Sequence, residues 1–143
     1  MFGKTRAMST AQLLNVLIGM SDSIICERAF EFASRILKLC DRLDQRGSSA
    51  RLVGRQLMEC GTSIGSNAEE AQEGQTKPDY IAKMSISRKE ARETTYWLRL
   101  IIKNGYATTS ELMCEVSEAN QLLAMIRAAI RTAKSSPNRG NGL

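Results

Sequence analysis

The chain has 143 residues, 43% of them hydrophobic and 24% charged, which fits one globular domain and excludes both wholesale disorder and two full-sized domains. Histidine is absent, so Ser-His and Cys-His nucleophile pairs and His-ligated metals are excluded together. The formal charge of +5 permits attraction to nucleic acid, and is also an ordinary solubility margin.

Residues 1–26 read as an N-terminal extension, helical in part, with Met8 and Met20 as alternative initiators. The apolar run Leu13 to Met20 is broken by Asn15 and Gly19 and is too short to span a bilayer. It lacks a small-x-small cleavage site, so a secretory leader is not expected. Cys26, Cys40, Cys60 and Cys114 form no CxxC pair, and Cys40 and Cys60 fall on apolar stripes. Buried, reduced thiols in a reducing cytoplasm are the expectation, with no metal and no cofactor.

From Glu27 the only period that fits is helical. Helix one carries two apolar stripes. One is Phe30, Ala33, Leu37 and Cys40; the other is Phe32, Ile36, Leu39 and Leu43. A single antiparallel bundle covers only one of them well, so self-association is expected. A turn over Gln45–Ser49 leads to helix two, about Ala50 to Glu73, with Val53, Leu57, Cys60, Ile64, Ala68 and Ala71 inward and Gly74 as its C-terminal cap. Thr76 and Asp79 form a capping box around Pro78 and open helix three, about Lys77 to Asn104, whose core side is Ile81, Met84, Ala91, Leu98 and Ile101 or Ile102. Gly105 ends it. Thr108 and Glu111 cap helix four, which carries the heptad Leu112, Val116, Ala119, Leu123, Ile126, Ile130 and Ala133. Residues 135–143 read as a disordered polar tail. Four amphipathic helices joined by short turns predict an all-α, up-down-up-down antiparallel four-helix bundle over residues 27–134.

Two polar features flank this core. On helix two, Gln56, Ser63, Asn67 and Glu70 fall within about 60° of one another beside the apolar stripe. Boundary hydrogen bonding, a subunit contact or a ligand pocket all fit that placement. Helix three is strongly basic. Lys77, Lys83, Arg88, Lys89, Arg92, Arg99 and Lys103 stand against Asp79, Glu90 and Glu93, whereas helix two is net acidic. Arg88, Arg92, Arg99 and Lys103 share one side of the wheel, and Arg127 and Arg131 add a second basic run on helix four. A solvated face and a phosphate-backbone contact both fit. Interleaved aromatics are few, Tyr96 and Trp97, so backbone contact is the stronger of the nucleic-acid ideas. No nucleophile–base pair or phosphate-cradling glycine loop is present, so no catalytic residue is assigned and no enzymatic activity is expected.

The segments Glu27–Ala33, Gln56-Leu57, Gly61–Ala71, Asp79–Met84, Lys89–Thr94 and Tyr96–Leu100 together resemble the four helix bundle proteins, also called 23S rRNA intervening-sequence proteins. The likeness covers roughly residues 27–132. It implies a bacterial, cytoplasmic bundle assembled as a homopentamer. Some members of that family are encoded within insertions of the large-subunit ribosomal RNA gene. A related branch is the accessory protein of diversity-generating retroelements, which works with a reverse transcriptase and RNA. The resemblance therefore implies RNA or DNA, a reverse transcriptase or another protein as partners, with no membrane role and no catalytic residues to transfer.

Overall fold

A computed structural model describes residues 3 and 6–137 of the chain. Four helices follow one another: α1 Thr10–Asp44, α2 Ser48–Gln72, α3 Lys77–Lys103 and α4 Thr109–Ser135. Each packs against the next, and α1 closes the ring against α4, while the backbones of diagonal helices stay apart. This is the up-down-up-down bundle that the periodicity predicts, and the described residues contain no strand. Positions 138–143 of the expected tail lie outside the described residues, and Ser135 itself is the last helical residue.

The helix ends follow from local chemistry. Ser9 and Gln12 form a reciprocal capping box ahead of α1, and Thr108 and Glu111 form another ahead of α4. At α3 the Thr76 hydroxyl accepts from the Asp79 amide, as expected. The Asp79 carboxylate, however, accepts a hydrogen bond from the Thr76 hydroxyl at 2.6 Å instead of reaching back to the cap amide. Gly105 closes α3 with a φ of +71°. Gly74 is no left-handed cap: α2 stops at Gln72, and the left-handed glycine of that helix is Gly47 at its start, φ +107°.

Helix one differs most from expectation. It begins at Thr10, so much of the expected N-terminal extension is one continuous helix with the bundle element. Its 35 residues make it about 52 Å long, against roughly 40 Å for α3 and α4. The two apolar stripes part company. Phe32, Ile36, Leu39 and Leu43 are fully buried, while Phe30 and Leu37 stay 67% and 43% exposed.

The core is completed by Leu57, Cys60, Ile64 and Ala68 of α2, Met84, Ala91, Leu98 and Ile101 of α3, and Leu112, Ala119, Leu122, Ile126 and Ile130 of α4. Its polar members take part in hydrogen bonds. Ser87 donates to the Ile64 carbonyl at 2.7 Å across α2 and α3, and Tyr80 donates to Asp22 at 2.8 Å, tying α3 to α1. The Cys40 thiol donates to the Gly54 carbonyl. Burial is the main cause pushing the Cys40 and Cys60 thiols up to about 11 and also raises Cys26, so the two core thiols are protonated at neutral pH.

The α1–α4 seam is polar. Arg28 grips Glu118 with two bonds, Nε to Oε1 at 2.8 Å and Nη2 to Oε2 at 2.9 Å, and Nη2 also donates to Gln121 at 2.8 Å. The hydrogen bond from Arg28 holds the Glu118 carboxyl below the usual carboxylate range, outweighing the opposing effect of burial. A carboxyl depressed on folding adds stability above its unfolded pKa, near 4.5, and that stability disappears as pH falls through the folded value. Glu118→Gln is therefore expected to cost about 1 kcal/mol at pH 7 for this partly exposed pair. It should also narrow the stability gap between pH 7 and pH 3. Urea unfolding of both proteins at the two pH values measures it; an unchanged gap removes Glu118 from the acid response.

Candidate nucleic-acid interface

Along α3, Ala91, Thr94, Leu98 and Ile101 turn inward. The helical repeat then places Arg88, Arg92, Arg99 and Lys103 outward, and all four are exposed. Arg127 and Arg131 project from α4 one turn apart and are exposed as well. Between the two helices lies a shallow groove of about 520 Å³ lined by Lys89, Arg92, Glu93, Thr95, Tyr96, Arg99, Leu123 and Arg127. A smaller hollow of about 280 Å³ continues it past Arg99 to Val116 and Asn120.

The groove thus brings together Arg92 and Arg99 from α3 with Arg127 from α4. Arg88 and Lys103 sit on the same helix outside its lining, and Arg131 lies a turn beyond. Among the described residues the ion pairs are Arg28–Glu118, Arg35–Glu115, Arg51–Asp44 and Lys83–Glu70. None of the six candidate cations takes part, and the groove carries a single acid, Glu93. Glu93 accepts a 3.3 Å bond from the Trp97 indole. Tyr96 is 49% exposed in the groove and meets Trp97 edge to face, ring centres 5.0 Å apart. Lys89 belongs to the lining but was not among the wheel-aligned residues. It lies about 100° from Arg88, outside the arc of those residues, and only the shape of the groove brings it into the lining.

The polar stripe of α2 has a local explanation for most of its length. Ser63 donates to the Glu59 carbonyl at 2.6 Å and Asn67 to the Ser63 carbonyl at 2.8 Å, both within the helix. Glu70 alone crosses to a neighbour, meeting Lys83 of α3 at 2.6 Å. Gln56 is half-buried on the same side. On the facing stretch of α3, burial raises the Glu90 carboxyl, with Glu93 and Glu59 adding to the effect.

A closed antiparallel bundle with one unneutralised basic groove, and no nucleophile–base constellation among the described residues, defines a small helical domain of the four-helix-bundle class. The chain belongs to the 23S rRNA-intervening sequence protein family, whose family model matches residues 21–128. A solved structure from Bacteroides thetaiotaomicron, described as a protein of unknown function from the S23 ribosomal protein family, superposes with a TM-score of 0.73 at 32% identity. That match covers 78% of this chain and 98% of the other. No curated protein matches the chain. No helix among the described residues is long and apolar enough to cross a membrane.

Proposed function

We propose that the chain is a non-enzymatic, self-associating bundle that binds the phosphate backbone of RNA or DNA along the α3–α4 groove. The observation that carries this reading is the convergence of Arg92, Arg99 and Arg127 on one groove with no ion-pair partner among the described residues. A guanidinium left unpaired beside others gains most by meeting an anion, and a planar fork suits phosphate. Little in the groove reads base edges; Tyr96 offers one exposed ring for stacking. The uncovered stripe of helix one, Phe30 and Leu37, supports assembly of several copies, five by the family resemblance. In such a ring the groove recurs on every subunit and modest contacts add through effective concentration.

Fluorescence anisotropy with a labelled structured RNA and a labelled duplex, over a salt series, tests it. Affinity is expected to fall steeply with salt and to depend little on sequence. Removing Arg92 and Arg99 together, both to Ala, should weaken binding at every salt and flatten the salt slope by about two, with helical content unchanged. Binding absent at low salt, or indifferent to the double substitution, rejects the groove. The result would then favour the second reading, a protein-interaction scaffold, for which the exposed Phe30 and Leu37 speak.

A further inference from the structure

The first turns of α1 run alongside the last turns of α4. From Thr10 to Ser21 every residue except Ile18 is exposed, and no ionisable side chain occurs between Arg6 and Asp22. A helical segment this short is marginal in water when nothing packs on it. On one side Leu14, Leu17 and Ile18 line a hollow with Ala128, Ala129 and Thr132 of α4. On the adjoining face, among the described residues, Leu13, Leu17, Met20 and Ile24 remain 50%, 62%, 57% and 45% exposed. These four step by four, three and four residues, the spacing of a coiled-coil seam. Glu27 and Glu31, both exposed and outside every ion pair among the described residues, continue the seam by three and four.

That spacing is symmetric about the midpoint between Ile18 and Gly19. We propose that two copies of the chain pair through this segment as an antiparallel, two-fold helix pair, with Leu13 against the partner's Ile24 and Leu17 against the partner's Met20. The four-three-four step makes the seam complementary to itself when one copy is reversed. Charge selects the same arrangement. The register sets the N-terminus of α1, the positive end of its dipole, opposite the partner's Glu27, and Arg6 lies four residues before that N-terminus. A parallel pair would stack Glu27 and Glu31 on their own copies. The reversed pair also sends the two positively charged bundles in opposite directions. Most of this segment precedes the family match, which begins at residue 21, so the interface is separate from any contact between the bundles themselves.

Light scattering on a size-exclusion column tests the pairing in the full chain. Leu17→Glu and Met20→Lys are each expected to halve the parent mass, whether or not the bundles also associate. An equimolar mixture of the two variants is expected to regain it, because position 17 of one faces position 20 of the other. Cross-linking fixes the direction. In a Cys114→Ser background, Leu13→Cys mixed with Ile24→Cys should form a disulfide dimer. Neither alone should, since copies of residue 13 lie about 16 Å apart in this register, beyond disulfide reach. A parent that keeps the mass of Leu17→Glu overturns the proposal, including a parent that floats with phosphatidylcholine vesicles at that mass, which assigns the seam to lipid. Efficient cross-linking of Leu13→Cys by itself overturns the antiparallel register.

Discussion

Leu122→Asp is expected to unfold the bundle or to cost most of its stability. Leu122 is fully buried on the flank of α4 away from the basic groove. A carboxylate there has no water, and the substitution also removes the packing of a leucine. The two losses come to about 4 kcal/mol or more, against a total of about 5–15 kcal/mol for a domain of ordinary stability. Leu123→Asp, one residue on, should be milder. Leu123 is 8% exposed and lines the groove that also holds Arg92, Arg99 and Arg127, where a carboxylate has water and guanidinium groups within the same hollow. Thermal unfolding followed by circular dichroism compares the pair. Equal losses would mean that α4 is rotated relative to the orientation described above.

That contrast shows where periodicity suffices and where it stops. The heptad of helix four names Leu112, Val116, Ala119, Leu123, Ile126, Ile130 and Ala133 as core, and all but the half-buried Val116 are buried. It passes over Leu122 because a two-sided helix, pressed by α3 on one side and α1 on the other, buries a wider arc than one seam. Helix one shows the same limit in reverse. Its two stripes are equally apolar in the sequence, and only the position of the other helices decides that Phe32 is core and Phe30 is surface. Its true start was harder to see because residues 10–21 lack the polar face that marks an amphipathic surface helix, although Ser9 and Gln12 already spell a capping box. The basic residues of the groove were legible one helix at a time. That Arg127 and Lys89 join Arg92 and Arg99 is a property of the α3–α4 packing, which no single-helix wheel contains.

The α1–α2 contact was legible in composition but not in meaning. Gly54, Gly61 and Gly65 are buried and face α1. A Cβ at Gly61 would lie 3.0 Å from Ile36 Cγ2 and 3.3 Å from its Cγ1, and one at Gly65 would lie 3.3 Å from the Ala29 Cβ. The glycines let the two backbones approach closely enough for the Cys40 thiol to reach the Gly54 carbonyl at 3.1 Å.

Gly61→Leu should therefore be the most damaging change on α2. Ile36 is fully buried and branched at Cβ, so it has no second rotamer to retreat into. The helices must separate instead, which costs about 1–3 kcal/mol or more by over-packing and opens the core around Phe32 and Ile64. At roughly 3–5 °C for each kcal/mol, the melting temperature should fall by about 10 °C. Alanine separates the steric effect from helix propensity. Gly19 lies on the exposed side of α1 with nothing within 4 Å of its added Cβ, so Gly19→Ala should gain up to about 1 kcal/mol. Gly61→Ala gains the same propensity but meets Ile36 at 3.0 Å, and the two effects should leave it neutral or destabilised. If Gly61→Ala instead raises the melting temperature as much as Gly19→Ala does, α1 and α2 are not held at this distance, and the glycine seam is not what joins them.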